Sequence, residues 1–299
     1  MWWWKSEYQC SEASRLVRNP TSKCPSHLPF HHICTTKMAT SAPPARRRLV
    51  GVSYKMYFDL AKTNDYLEAV LPPLAHLITS LNQPTDVFVI PDFLTILPYA
   101  QIIKSNHSPL LLGAQDSHHS DAGAFTGEVS PKNLAQAGVK FVEMGHAERR
   151  KLFGETDESV ALKAEGAVRN NMIPLICIGE VTKGGGVQKA VDECWVQVEQ
   201  VFAKIREDAE VVLAYEPVWA IGASEPASAE HVVAVTQALR QKAHSLGRSG
   251  VVRILYGGSA GPGLFTKLEE GVDGLFLGRF AHDPKAFLET IKEVGGGVK

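Results

Sequence analysis

Eight short apolar runs punctuate the chain from residue 49 onward: LVGVS (49–53), DVFVIP (86–91), LLLGAQ (110–115), KFVEMG (140–145), IPLICIG (173–179), VVLAYEP (211–217), VRILYGG (252–258) and DGLFLGR (273–279). They are rich in Val, Ile and Leu and continuous rather than alternating, as expected of parallel strands covered on both faces. The longer intervals carry apolar residues at helical spacing; HVVAVTQALRQKAHSL (231–246) predicts a helix with Gly247 as its stop. Each interval leaves room for a right-handed crossover helix, though the 91–110 link is short. Eight such units in about 250 residues match the number and size of a (β/α)8 barrel. A doubly wound open sheet is the rival, weakened by the lack of G-x-G-x-x-G after the first run. The expectation is one α/β barrel domain over residues 48–299.

Residues 1–47 break the pattern. They lack periodicity and a clean apolar core of a secretory signal, and up to Lys37 they hold five Lys/Arg against two Asp/Glu. The expectation is a disordered leader, or translated upstream sequence before a start at Met38, with organelle targeting a weaker option. Cys24, His27, His31, His32 and Cys34 fit no usual zinc spacing, so no metal is expected there.

Composition narrows the partners. The 299 residues are 44% hydrophobic and 21% charged, with a net charge of −1, which gives no electrostatic case for nucleic acid or a membrane surface. No apolar run approaches the roughly 18 residues of a membrane-spanning helix. Five cysteines, an odd number in a long chain, fit a reducing compartment better than a disulfide framework, and a cytoplasmic location is expected.

In a barrel the chemistry sits at the carboxyl ends of the strands. Those positions hold Ser53 and Lys55 after the first run and His146 and Glu148 after the fourth. Glu216 follows the sixth, Gly257-Gly258-Ser259 the seventh, and Gly278-Arg279 closes the eighth. Taken singly, each has a structural explanation: a paired carboxylate, a satisfied histidine, a solvated lysine, a turn. Placed together on five strands of one barrel, they make a site. A carboxylate base, an imidazole and a lysine suit proton transfer between adjacent carbons through an enediolate. Backbone N–H groups at the glycines, and at a short helix after the eighth strand, suit a phosphate. No organic or metal cofactor is required.

The segments EMGHAERRKLFGETDE, IPLICIGE, AYEPVWAIG, GAFTGEVSP and ILYGGS resemble triosephosphate isomerases across residues 49 to about 292, with YEPVWAIG and GHxERR together the most specific. The resemblance implies that Glu216 is the base, His146 the electrophile and proton shuttle, and Lys55 the cation that steadies the bound phosphorylated substrate. Glu148 would be a supporting carboxylate, with Gly222 and Ser259 among the phosphate contacts. Pro217 to about Pro226 would form a lid with a stiff Pro-Val-Trp hinge. It also implies a homodimer built through the loop 115–131, where Thr126 and Glu128 match; His118, His119 and Asp121 in that loop are not a convincing metal trio.

Several positions depart from the family pattern. Ser53 stands where the pattern has Asn, Tyr54 where it has Trp, Tyr57 where it has a second Asn, and Ala147 where it has Ser. The lid continues as ASEP (223–226), and the last Gly-Gly is Gly278-Arg279, an arginine able to pair with phosphate. The first expectation is interconversion of dihydroxyacetone phosphate and glyceraldehyde 3-phosphate. The alternative is isomerisation of a tetrulose (erythrulose) phosphate, which Gly278-Arg279 resembles, and a third is a catalytically silent phosphosugar-binding barrel.

Overall fold

The computed structural model describes residues 47–221, 227–258 and 260–298. The expected leader at 1–47 therefore lies, but for Arg47, outside the described residues. Strands β1 (Arg48–Ser53), β2 (Thr85–Ile90), β3 (Leu111–Ala114), β4 (Phe141–Met144), β5 (Ile173–Ile178), β6 (Val211–Tyr215), β7 (Val252–Tyr256) and β8 (Gly274–Leu277) pair in sequence order into a closed barrel. All pairings are parallel, and β1 closes the ring on β8 with Val52 opposite Leu277. Every expected strand is present, each within two residues of its predicted bounds.

The continuous apolar character of the strands has a simple cause: both faces are buried. One face of each strand fills the barrel with Leu49, Phe88, Ile90, Phe141, Leu175, Cys177, Leu255 and Phe276. The other packs against the helical jacket through Val50, Val52, Val142, Met144, Ile176, Leu213 and Ile254. The interior is full: Phe88 lies 4.7 Å from the Phe141 ring centroid, and a Cβ on Gly51 would fall 1.9 Å from Phe88. Only glycine fits at 51.

The jacket comprises, among the described residues, α1 (Leu60–Ser80), α2 (Ile96–Ser105), α3 (Pro131–Gln136), α4 (Ala147–Phe153), α5 (Asp157–Arg169), α6 (Gly186–Lys204), α7 (Ala229–Ser245), α8 (Phe265–Leu268) and α9 (Pro284–Val294). Local chemistry starts them. Asp59, Ser130 and Ser228 accept from backbone N–H groups in the first turns of α1, α3 and α7, and Thr156 forms a reciprocal capping box with Ser159 on α5. Helix α7 ends at Ser245 with Leu246 as its C-cap, and Gly247 follows, left-handed at φ +68°, the stop its sequence predicts. The short link before β3 is filled by the ten-residue α2 after a 3-10 turn at Phe93–Thr95.

Candidate active site

The carboxyl ends of β1, β4, β6, β7 and β8 surround a cavity of about 530 Å³. Ser53, Lys55, His146, Glu148, Glu216, Gly257, Gly258, Gly278 and Arg279 all line it. The barrel thus brings together nine of the residues singled out from sequence. Gly222 and Ser259 lie outside the described residues, as does the lid from Gly222 to Pro226.

His146 is the N-cap of α4, and its Nδ1 accepts from the Glu148 N–H at 3.1 Å. An acceptor nitrogen carries no proton, so this bond puts the ring hydrogen of a neutral imidazole on Nε2. Nε2 faces Glu216 Oε2 at 3.5 Å, and both side chains are buried. A base and a neutral hydrogen-bond donor therefore stand side by side, close enough to act on adjacent atoms of one substrate. Gly257 makes room for the base: a Cβ there would lie 2.4 Å from Glu216 Oε1.

Lys55 Nζ is 2.7 Å from Glu148 Oε1. Burial opposes the lysine charge, but the hydrogen bond to Glu148, helped by the charges of Glu148, Glu216 and Glu143, raises its pKa above the usual lysine value. The same ion pair holds the Glu148 carboxyl below its usual range despite partial burial. The lysine backbone sits at φ +49°, a left-handed conformation uncommon outside glycine. Gln115 pins it, donating through Nε2 to the Lys55 carbonyl at 2.8 Å and the Pro91 carbonyl at 3.1 Å. This links the loop after β3 directly to the site.

The departures from the family pattern sort by position. Tyr54 is fully buried behind β1, stacked on Phe58 at 4.5 Å, so its change is one of packing. Ser53, Tyr57 and Arg279 line the cavity and can touch a ligand. A Cβ on Gly278 would meet nothing within 4 Å, so this glycine is not forced by close packing.

Two carboxylates escaped the sequence reading. Glu180, just past β5, is almost fully buried and accepts from Tyr215 Oη and Trp219 Nε1, each at 3.0 Å, with His231 Nε2 also at 3.0 Å. It anchors the 3-10 turn Val218–Ala220 that follows the base. Glu143, inside β4, is also buried and accepts from Ser53 Oγ at 3.0 Å. Burial, with the nearby Glu216 charge adding and His146, Ser53 and Lys55 opposing, pushes its carboxyl up to about 7. Its place within an apolar run hid it.

The family model of triosephosphate isomerase matches residues 48–294. The chain belongs to the triosephosphate isomerase family. Among its curated relatives, the L-erythrulose-1-phosphate isomerase of Pectobacterium atrosepticum is 47% identical over 255 residues, covering 83% of this chain and 96% of that protein. Proteins of the same name from Mesorhizobium japonicum (83% of this chain, 98% of that protein) and Rhizobium etli (83% and 93%) are each 38% identical. These relatives support isomerase activity, and they overturn one expectation. The reading of dihydroxyacetone phosphate as the first-choice substrate is corrected, because the relatives carry the name of a tetrulose phosphate isomerase. The weight given to the triose rested on Glu216, His146 and Lys55, which serve any enediolate chemistry and say nothing about chain length.

Proposed function

We propose that the protein isomerises L-erythrulose 1-phosphate without a cofactor. The observation that carries this reading is the 47% identity to an isomerase of that name, over nearly the whole of both barrels. In this substrate the carbonyl is C2, and C3 is the neighbouring carbon with a free hydroxyl, since the C1 oxygen is esterified. Glu216 takes the proton from C3, and the electron pair moves to the carbonyl oxygen to give a 2,3-enediolate. His146 Nε2 donates to the developing oxyanion and shuttles the proton between the two oxygens, while Lys55 supplies positive charge. Return of the proton to C2 leaves the carbonyl at C3. Counted from the other end, the product is erythrulose 4-phosphate.

The phosphate belongs at the rim, on the backbone N–H groups of Gly258 and Gly278, with Ser259 and Gly222 as further contacts; the Gly257 N–H, expected to join them, instead donates to the Tyr215 carbonyl at 2.9 Å. Arg279, exposed at the start of the 3-10 turn Arg279–His282, adds a guanidinium. Incubation of the protein with L-erythrulose 1-phosphate in D2O tests the reaction. Deuterium entering the carbon skeleton, with erythrulose 4-phosphate formed, is expected; Glu216→Gln should lower the rate by about 10²- to 10⁴-fold. No turnover and no exchange by the wild-type protein would refute it.

A homodimer through the loop 115–131 is part of the same proposal. The tip of that loop leaves Phe125 exposed, and Gln115 at its start holds the Lys55 backbone, so a partner covering the loop would steady the site. Light scattering at micromolar concentration should give twice the chain mass; a monomer would count against it.

A further inference from the structure

The interior of the barrel below the cavity is lined by Phe88, Phe141, Leu175, Leu255 and Phe276. Glu143 interrupts it. It lies on the same face of β4 as Phe141, three residues before His146, and is 4% exposed. Among the described residues no Lys, Arg or His forms an ion pair with it; its hydrogen-bond partner is Ser53, the last residue of β1, on a strand that does not adjoin β4. A carboxyl placed there opposes folding, where a well-packed aliphatic side chain would favour it. Ser53 lines the cavity, so the carboxyl stands one hydrogen bond beneath the floor.

That bond fixes what the floor offers a ligand. With Glu143 ionised, the Ser53 hydrogen goes to its Oε2, so the serine turns lone pairs, not a donor, toward the cavity. Gly257, Gly258, Gly278 and Arg279 lie beyond the ends of their strands, whereas Ser53 is still within β1 and Glu143 is deeper. A ligand with its phosphate at the rim therefore sets its far end on this floor. In a four-carbon ketose phosphate that end is a hydroxymethyl group, which carries an O–H to donate.

We infer that Ser53 receives the terminal hydroxymethyl of a four-carbon ketose phosphate and that Glu143 is the positioning residue that makes Ser53 an acceptor. This rests on the tetrulose reading above. The pair selects for chain length, because a shorter substrate leaves the polar floor unmatched.

The test compares two ligands. L-erythrulose 1-phosphate has the fourth carbon; 2-phosphoglycolate has the phosphate and a planar carboxylate in place of the enediolate, but no hydroxymethyl. Glu143→Leu should raise KM for the tetrulose about 10- to 100-fold, with kcat and the phosphoglycolate inhibition constant within about threefold. Glu143→Gln, whose amide oxygen still accepts from Ser53, should hold KM within about threefold. Ser53→Ala should reproduce the KM rise, and Glu143→Leu added to it should change little. Ser53→Ala carries the same comparison if Glu143→Leu does not fold. Equal weakening of both ligands, or an unchanged KM in Ser53→Ala, would overturn the inference while the function stands. Wild-type protein inactive on the tetrulose would remove both.

Discussion

At the residue scale, the site depends on where one carboxylate is held. Glu216 packs against Gly257 so closely that the smallest side chain intrudes, with a Cβ 2.3 Å from its Cγ. Gly257→Ala should displace the base and lower kcat/KM about 100-fold, with little change in melting temperature, because a shift of about 1 Å costs that much alignment. A kinetic assay beside thermal unfolding checks this; a loss of stability in proportion would mean the glycine serves the fold instead. His146 shows why a residue type alone is an incomplete clue. Its place at a strand end was legible, but its tautomer comes from the Glu148 N–H that occupies Nδ1.

At the element scale, two buried carboxylate clusters tie loops to helices. Glu180 joins β6, the turn after it and α7 through Tyr215, Trp219 and His231. Glu180→Ala would free Trp219 and leave polar groups without their acceptor, so kcat should fall about tenfold and stability by about 1–3 kcal/mol. Trp219 emission should change with it; unchanged turnover would separate the anchor from catalysis. The second cluster joins the loop after β3 to α4 and α5. Lys163 bonds both Asp116 oxygens, at 2.8 and 3.0 Å, and also Glu155, while Arg149 reaches Asp116 at 2.7 Å. Burial holds the Asp116 pKa above its usual value even so. Lys163→Met would leave Asp116 and Glu155 to share Arg149 as their one cation in the cluster and should cost about 3 kcal/mol in urea unfolding. Neither cluster was legible in sequence, since each draws its members from segments far apart in the chain. The capped starts of α1, α3, α5 and α7, by contrast, are written within a few residues of each helix.

At the scale of the whole molecule, barrel closure itself has a pH signature. Glu143 has its folded pKa raised to about 7 from the 4.5 of an ordinary glutamate, so the folded state holds this proton more tightly than the unfolded chain. Stability from this group is present below about pH 4.5 and is lost as pH rises through about 7. Glu143→Gln should therefore be more stable than the wild type above pH 7, by roughly 3 kcal/mol at most, and the gap should close toward pH 4.5. Denaturant unfolding at several pH values reads it directly; a gap independent of pH would place the effect in packing. The sequence by itself determined the eight strands, the crossovers between them and the rim that carries Ser53, Lys55, His146, Glu216 and Gly257, because strand burial and strand-end chemistry are local properties. Only the tertiary structure decided that Ser53 meets Glu143 across the interior, that Tyr54 packs away from the cavity and that Glu180 holds the turn beyond the base. The Ser53–Glu143 and Glu180 contacts join residues 35 to 90 positions apart, and closing the sheet is what brings them within reach.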